Sequence, residues 1–433
     1  MSELDAKVIA RYDFYESTSR KFRNNEHKEV CSLDKEDDLK VNYTKISDKI
    51  QHRPIICQDV YWSSDGNSVV SVTDDHVIRK YVMEQNRYAE SSLRLTNKLS
   101  RGGSVVSSTL IPNNSMANED VCNILIGSKQ LPIQLYSLNS EDTKLNYSSK
   151  KPVPICSYDI MNPQNEIYET PYSISYESPN NFFVGSIRNS VSLFDINRRE
   201  PIWNIRSDKI KCGGTKGAYK AIVSCFEESC GGINNQNYLR SKLFGTYKNE
   251  IYQLDTRVKR ATMQLVRPND NRGNGIYQLL KSENELYLYV VKRQCDHISI
   301  YDSRNIRKSI SELNLTCKIK NQKLKANISN FNGLSIGDND GKILNWERSL
   351  IESGGISRYR TTEETELQTL LPTSVTKLPH IFSDGDSTEE TRINIIRQNP
   401  VHLDQTIVSY SPDKNIKTHL TEGSSGICLI ETP

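Results

Sequence analysis

Four basic side chains are candidates for binding chemistry, because each falls in the turn of a strand–turn–strand pattern. These residues, which we name the cationic turns, are Lys129, Arg188, Lys248 and Arg293, the last preceded by Lys292. Equivalent turns elsewhere carry acids: Asp74, Asp75, Asp338 and Asp340. Turns of the same kind lie on one face of a repeated fold, so we expect a positive arc that meets phosphates or an acidic protein, and a negative arc opposite. The alternative is a solvated rim of ordinary turn lysines and arginines.

Catalytic and metal-binding patterns are missing from the sequence. It contains no Gly-x-Ser-x-Gly elbow, no P-loop and no His-Glu-x-x-His. The seven histidines are nowhere grouped at ligand spacing, and His76 and His297 fall in predicted turns, where solvated side chains are expected. The ten cysteines include no Cys-x-x-Cys pair, so neither a zinc site nor a disulfide framework is encoded. We expect no enzymatic activity, no cofactor and no bound metal.

The turns belong to a hairpin that recurs along the chain. A glycine stands nine residues before a large apolar residue, with a β-branched residue three before that closing position. The four copies are Gly127 to Tyr136, Gly185 to Phe194, Gly245 to Leu254 and Gly337 to Trp346. Looser copies close at Tyr81 and Tyr301. We expect the glycine to open a tight turn through its tolerance of positive φ.

The spacing of the hairpins predicts an all-β, seven-bladed WD-type β-propeller. An aromatic residue followed by an acid at a period near 40–45 residues is typical of WD repeats. Repetition is required because one four-stranded sheet buries neither face, whereas radial packing covers both. An ordinary antiparallel sandwich with coincidental hairpins is the alternative. We expect the propeller over residues 51–433, with insertions near 139–154, 228–240 and 349–392.

Residues 1–50 mix charges of both signs with few apolar positions. Such a segment cannot bury enough apolar surface to form a core of its own, so we expect a disordered N-terminal tail. A propeller ring is closed by pairing one end of the chain with the blade at the other end. The pattern leaves open which end supplies that strand.

Composition restricts the compartment and the partners. The net charge of +3 is too small for bulk attraction to a polyanion. No apolar segment approaches the ~18 residues that a membrane span needs, and the unpaired cysteine pattern is that of a reducing compartment. We expect no membrane association and a location in the cytosol or nucleus.

Several stretches resemble the yeast Swt-type nuclear splicing proteins, fungal relatives of the Cajal-body WD-repeat RNP proteins. They are residues 57–66, 132–138, 168–170, 224–228, 298–302 and 333–337. The resemblance spans roughly 55–433, and the longer N-terminal tail and the insertions near 139–154 and 357–392 depart from it. It implies a nuclear, non-enzymatic protein that associates with spliceosomal snRNP proteins and helps hold U1 snRNP at the 5′ splice site, as a monomer within complexes. The alternative is direct binding of small nuclear RNA in RNP assembly or trafficking, as in the Cajal-body relatives.

Overall fold

The computed structural model describes residues 2–14, 54–85, 91–111, 122–139, 152–162, 166–177, 180–206, 221–229, 241–256, 262–267, 272–329, 333–356, 368–378, 391–413 and 425–431. In these ranges the chain forms short strands and a single helix, α1 (Arg348–Ile356). No helix of the described ranges is long and apolar enough to cross a bilayer.

The described strands form six sheets, of which one has nine strands and contains two four-stranded units. This gives seven units of four, which we call blades, and two further strands at sheet edges. Two strands come before blade 1 in the chain: β1 (Ser2–Asp5) and β2 (Lys7–Asp13). Blade 1 contains β3 (Cys57–Trp62), β4 (Ser68–Thr73), β5 (Val77–Gln85) and β6 (Ser91–Ser100). Blade 2 contains β7 (Val105–Leu110), β8 (Asn123–Ser128), β9 (Ile133–Ser137) and β10 (Cys156–Tyr158). Blade 3 contains β11 (Ser173–Tyr176), β12 (Asn181–Gly185), β13 (Val191–Asp195) and β14 (Trp203–Ile205).

The remaining blades follow the same order along the chain. Blade 4 contains β15 (Val223–Ser229), β16 (Lys242–Thr246), β17 (Ile251–Asp255) and β18 (Thr262–Arg267). Blade 5 contains β19 (Ile276–Lys281), β20 (Tyr287–Lys292), β21 (His297–Asp302) and β22 (Asn305–Asn314). Blade 6 contains β23 (Asn327–Ile328), β24 (Leu334–Gly337), β25 (Lys342–Trp346) and, after β26 (Gln368–Leu370), β27 (Ser374–Lys377). Blade 7 contains β28 (Arg392–Gln398), β29 (Gln405–Ser411), β30 (Gly426–Glu431) and β2.

The blades pack side by side into a closed ring. Among the described residues, each consecutive pair of blades shares one apolar cluster, and blade 7 shares one with blade 1. In that closing cluster Tyr81 of blade 1 and Leu429 of blade 7 are both fully buried. At five blade junctions, including that between blades 7 and 1, the first strands lie next to one another, and β15 pairs in parallel with β19. The first strands therefore surround the axis of the ring.

The hairpin of blade 3 illustrates why the sequence forms these units. Phe182 lies opposite Phe194 in the antiparallel register, so both rings point to the same side of the sheet. Their centroids are 5.3 Å apart and the rings are stacked, with neither side chain exposed. Tyr158 of blade 2 packs edge-on against Phe182 at 4.9 Å, so one face of blade 3 is buried by its neighbour.

The repeated glycines have a different role from the expected one. Gly127, Gly185, Gly245 and Gly337 are absent from the positive-φ residues of the described chain and end the second strand of their blades or lie within it. A Cβ on Gly245 would lie 2.8 Å from Cγ2 of Ile276, in the first strand of the next blade. The other three glycines likewise face Pro171, Val223 and Ile393 just before or within the next blade's first strand. The glycine is needed for close packing between blades.

The N-terminal segment differs from the expected tail. Ser2–Asp5 pairs in parallel with Ser374–Lys377 of blade 6, and Lys7–Asp13 pairs antiparallel with Gly426–Glu431 of blade 7. The segment is too polar to form its own core, but it needs none, because Ala10 and Phe14 enter the cluster between blades 7 and 1. The N-terminal end therefore supplies the closing strand. The rest of the expected tail, residues 15–50, lies outside the described residues.

Part of the expected insertion at 349–392 is regular structure. It contains α1, β26 and the fourth strand of blade 6, β27, and β26 pairs in parallel with β22 of blade 5. β25 and β27 are separated by 27 residues, so a short-range sequence pattern does not reveal that β27 belongs to blade 6. The expected insertion near 228–240 begins inside β15, and the one near 139–154 ends two residues before β10. Residues 140–151, 230–240, 357–367 and 379–390 lie outside the described residues.

Candidate functional site

The cationic turns all join the second and third strands of a blade. Lys129 follows β8, Arg188 follows β12, Lys248 follows β16 and Arg293 follows β20. Because the blades share one strand order around one axis, these four turns lie on the same face of the ring, which we call the hairpin face. The side chains of Lys129, Arg188 and Lys248 are exposed, whereas Arg293 is only partly exposed. Three of the four side chains are therefore accessible to solvent, and their binding of a partner stays a prediction.

Arg293 is engaged with the neighbouring turn. Its guanidinium carbon lies 4.5 Å from the ring centroid of Tyr247, and its Nη2 donates a hydrogen bond of 3.1 Å to the Tyr247 hydroxyl. Tyr247 belongs to the blade 4 turn that also carries Lys248, so adjacent hairpin turns touch. A stacked, hydrogen-bonded guanidinium is held in one orientation. The sequence pattern gives no sign of Tyr247, because the contact joins two blades.

The charge pattern around these turns is less simple than expected. Lys292 is fully buried, with Nζ 3.4 Å from the Arg272 carbonyl, so it does not extend the positive arc. On the acidic side, Asp75 pairs with the buried Arg79, and the buried Asp338 accepts hydrogen bonds from Thr316 and Cys317. Asp340 remains exposed. Asp75 and Asp338 are therefore engaged with side chains of the protein itself and add little negative charge to the surface.

Two asparagines hold the cationic turns in place. Asn189 and Asn249 follow Arg188 and Lys248 directly, are buried, and have φ of +53° and +60°. The side-chain oxygen of Asn189 accepts from the Ala221 backbone at 3.2 Å, and that of Asn249 accepts from Gly275 at 2.6 Å. Asparagine tolerates the left-handed region and carries both a donor and an acceptor. Asparagine recurs four residues after Gly185 and Gly245, and this repeat is the feature of the sequence that indicates the fixed turns.

His297 lies in a side-chain cluster and is not a solvated turn residue. Cys295, Asp296 and His297 bring ligand-type atoms together, and the Cys295 sulfur lies 3.5 Å from both ring nitrogens of His297. A sulfur equidistant from both nitrogens lies over the ring face, away from the in-plane lone pairs that a metal would need. Burial is the largest single influence and raises the pKa of Cys295, but His297 and Lys292 together outweigh it and the net shift is downward. The pKa of His297 is raised, with burial opposing and Cys295 favouring the charged ring. The arrangement is that of a thiol–imidazole pair.

A network of charged groups crosses the middle of the ring. Asp59 of blade 1 accepts from Lys325 Nζ at 2.5 Å, and Arg397 of blade 7 reaches Glu228 of blade 4 at 3.1 Å. Arg397 Nη2 is also 3.9 Å from Asp59. Burial raises the pKa of Asp59, but Lys325 and Arg397 outweigh this and hold it below its usual value. We call these groups, together with Lys323, the channel network.

The channel network was not anticipated from the sequence. Its lysines come from the connection between β22 and β23, where Lys318, Lys320, Lys323 and Lys325 stand within eight residues. That density of lysine is the feature of the sequence that could have indicated a charged site in this connection. The acids and Arg397 come from three other blades, so only the closed ring brings them to one place.

Comparisons with known proteins agree with this architecture. No protein-family model matches the chain. It is 35% identical to Protein SWT21 of Kluyveromyces lactis over 83% of this chain and 82% of that protein. It is 35% identical to Protein SWT21 of Zygosaccharomyces rouxii over 92% of each, and 37% identical to that of Saccharomyces cerevisiae strain JAY291 over 74% of this chain and 88% of that protein.

A solved structure supports the fold independently. The C-terminal WD40 domain of Sif2 matches 88% of this chain and 82% of its own length with a TM-score of 0.51. The sequence identity is 10%, so the likeness concerns the fold alone. The expected all-β, WD-type propeller is confirmed.

Proposed function

Since the chain belongs to the SWT21 family of yeast proteins, we propose that it is a non-enzymatic nuclear platform for spliceosomal snRNPs. In this role it binds snRNP proteins and stabilises U1 snRNP at the 5′ splice site during pre-mRNA splicing. The resemblance to Swt-type splicing proteins supports a role in splicing. The exposed cations of the hairpin face support a role in binding.

The observation that carries the proposal is the rigid presentation of exposed cations on the hairpin face. Lys129, Arg188 and Lys248 project from three successive blades, and buried asparagines fix two of the turns. A surface fixed before binding loses little conformational freedom on association. Complementary charge then contributes to recognition and to the rate of encounter.

The described residues offer binding surface and no catalytic constellation. The carboxylates of the channel network are engaged with Lys325 and Arg397, and the thiol of Cys295 is buried. A propeller of this kind is typically a scaffold. The proposal therefore excludes an enzymatic role.

Charge reversal on the hairpin face tests the proposal. Lys129→Glu, Arg188→Glu and Lys248→Glu are combined, and Arg293 is left in place because its stacking on Tyr247 contributes to folding. Exposed charges contribute on the order of 0.5–1 kcal/mol each, so recovery of snRNP proteins from nuclear extract should fall about tenfold. The melting temperature should not change, because the three side chains are exposed.

The matched control reverses three exposed cations that lie away from the hairpin face. Arg198 and Arg199 are in the connection between β13 and β14, and Lys308 is near the start of β22. Replacement of these three cations by Glu changes the net charge by the same amount. This variant should recover snRNP proteins as well as the parent. Equal recovery by both variants and the parent would overturn the proposal.

Treatment of the extract with RNase separates protein binding from binding through RNA. Under the proposal, U1 snRNP proteins remain bound after digestion. Loss of all partners on digestion, together with steeply salt-dependent binding of purified chain to short RNA, would instead identify a direct RNA binder.

A further inference from the structure

The channel network contains one cation more than its acids can neutralise. Asp59 is paired with Lys325 and Glu228 with Arg397, which leaves Lys323. Lys323 makes neither an ion pair nor a hydrogen bond with the residues that the structure describes. Its side chain is partly exposed, so water serves as the acceptor for its ammonium, and a bound anion can take the place of that water.

Contacts of the two residues that follow Lys323 place it inside the ring. Leu324 exchanges two backbone hydrogen bonds with the hydroxyl of Tyr277 in blade 5, and Lys325 reaches Asp59 in blade 1. Tyr277 lies two residues after Gly275, whose carbonyl accepts from the Arg293 backbone, so the chain at Lys323 runs beside the turn that carries Arg293. The electrostatic influence of Arg293 on Lys323 agrees with this position. Lys323 nevertheless remains partly exposed, so solvent reaches it. Because Arg293 belongs to a hairpin turn, this position is toward the mouth of the channel on the hairpin face.

Arg293 supplies a second donor group at this mouth. Its side chain is partly exposed, and its Nη2 donates to the Tyr247 hydroxyl. The stacking on Tyr247 fixes the direction of the guanidinium. A fixed, partly exposed guanidinium and a neighbouring ammonium are the donors that an oxyanion requires.

We propose that the channel mouth at Lys323 and Arg293 binds a single carboxylate of an acidic segment in a protein partner. This inference rests on the proposed role as a protein-binding platform. It adds which chemical group of the partner is bound, a carboxylate. One carboxylate matches the single excess positive charge of the channel network.

The aromatic side chains around the mouth favour an acidic peptide over nucleic acid. Single-stranded nucleic acids bind through stacking of bases on open aromatic faces. Here the Tyr247 ring is covered by Arg293, and the hydroxyl of the buried Tyr277 is bonded to the Leu324 carbonyl at 2.9 Å. The ring of Tyr61 packs against the apolar cluster between blades 1 and 2, and its hydroxyl donates to Asp59 at 2.8 Å. None of these three rings offers a free platform for a base.

The pKa of Lys323 gives the site a characteristic pH dependence. Burial and the nearby Lys325 lower it from the usual 10.5 to about 8, with Arg293 adding to the effect and Asp59 opposing it. A bound carboxylate favours the charged ammonium, so binding should weaken as pH rises through this value. Burial raises the pKa of the Cys225 thiol, which also faces Lys323, to about 12, so this thiol stays neutral in that range.

The test measures binding of a fluorescently labelled oligoglutamate peptide to the purified full chain by anisotropy. Lys323→Gln should lose about tenfold or more in affinity, as for removal of a charge-assisted hydrogen bond. The control Lys318→Gln removes an exposed lysine from the same connection and should lose less than about twofold. Parent affinity should fall between pH 7 and 9, whereas that of Lys323→Gln should be flat.

Three results would overturn the inference. They are no peptide binding by the parent, equal losses in the two variants, and binding of oligouridylate in place of the peptide with the same dependence on Lys323. Both variants should keep the parent's melting curve or improve on it, which separates lost binding from lost folding. Because the assay uses purified chain and a synthetic peptide, it can fail while the snRNP pull-down succeeds, and the reverse.

Discussion

At the scale of single residues, the absence of a side chain matters as much as its presence. Gly185 ends β12 where the first strand of blade 4 approaches, and a Cβ there would collide with Ser173 and Val223. The hairpin repeat therefore requires glycine at this position because two blades approach closely there. That is why the glycine recurs at one position of the hairpin while the positive-φ residues of the turn vary between Gln130, Asn189 and Asn249.

Replacement of Gly185 by Ala tests this role. The added methyl group must displace two neighbours in a packed interface, which costs about 1–3 kcal/mol of unfolding free energy. Gly102→Ala is the matched control, since a Cβ there has nothing within 4 Å. Chemical denaturation followed by tryptophan fluorescence measures both. A Gly185→Ala variant as stable as Gly102→Ala would show that blade packing tolerates the extra atom.

Lys323 should also influence stability. Its folded-state pKa of about 8 is below the usual 10.5, so between these values the unfolded chain binds more protons and stability rises with pH. The penalty is fully present below pH 8 and absent above 10.5. Lys323→Met should therefore melt at a higher temperature than the parent at pH 7, and the gain should shrink at pH 10. A constant difference across this range would contradict the shifted pKa.

At the scale of secondary-structure elements, β2 and the residue that follows it contact both blade 7 and blade 1. The strand completes blade 7 along β30, and its end brings Phe14 against blade 1, where Arg79 lies 5.3 Å from the ring centroid. Arg11 and Asp13 also meet the hydroxyl of Tyr410, with Arg11 Nε at 2.9 Å. Loss of these contacts would leave blade 7 one strand short and uncover the cluster between blades 7 and 1.

Phe14→Ala should consequently destabilise the whole ring. Phe14 is fully buried, and truncation of such a side chain costs about 3–5 kcal/mol. Leu4→Ala, on β1 and 36% exposed, serves as the control and should cost less than about 1.5 kcal/mol. Urea titration gives both values. Similar midpoints for the two variants would mean that the N-terminal segment is not required for closure.

At the scale of the whole molecule, the features predictable from sequence are those built from neighbours in the chain. The hairpins of blades 2, 3, 4 and 6 are local, so the spacing from glycine to the closing apolar residue predicts them and places the cationic turns. The strand Lys7–Asp13 is not local, because its partner is the last strand of the chain. For the same reason the stacking of Arg293 on Tyr247 and the burial of Lys292 could not be foreseen. Each depends on which side chains a neighbouring blade or connection supplies.

Pairing of β2 with β30 also sets an order in time. On the ribosome, Lys7–Asp13 is made long before Gly426–Glu431, so the growing chain cannot join the two strands until Gly426–Glu431 emerges. During that interval Ala10 and Phe14 lack the neighbours that bury them in the finished ring. Closure of the ring is therefore a late step of synthesis, and the unpaired strand is until then exposed to the aggregation that unpaired edges favour and to the chaperones that prevent it.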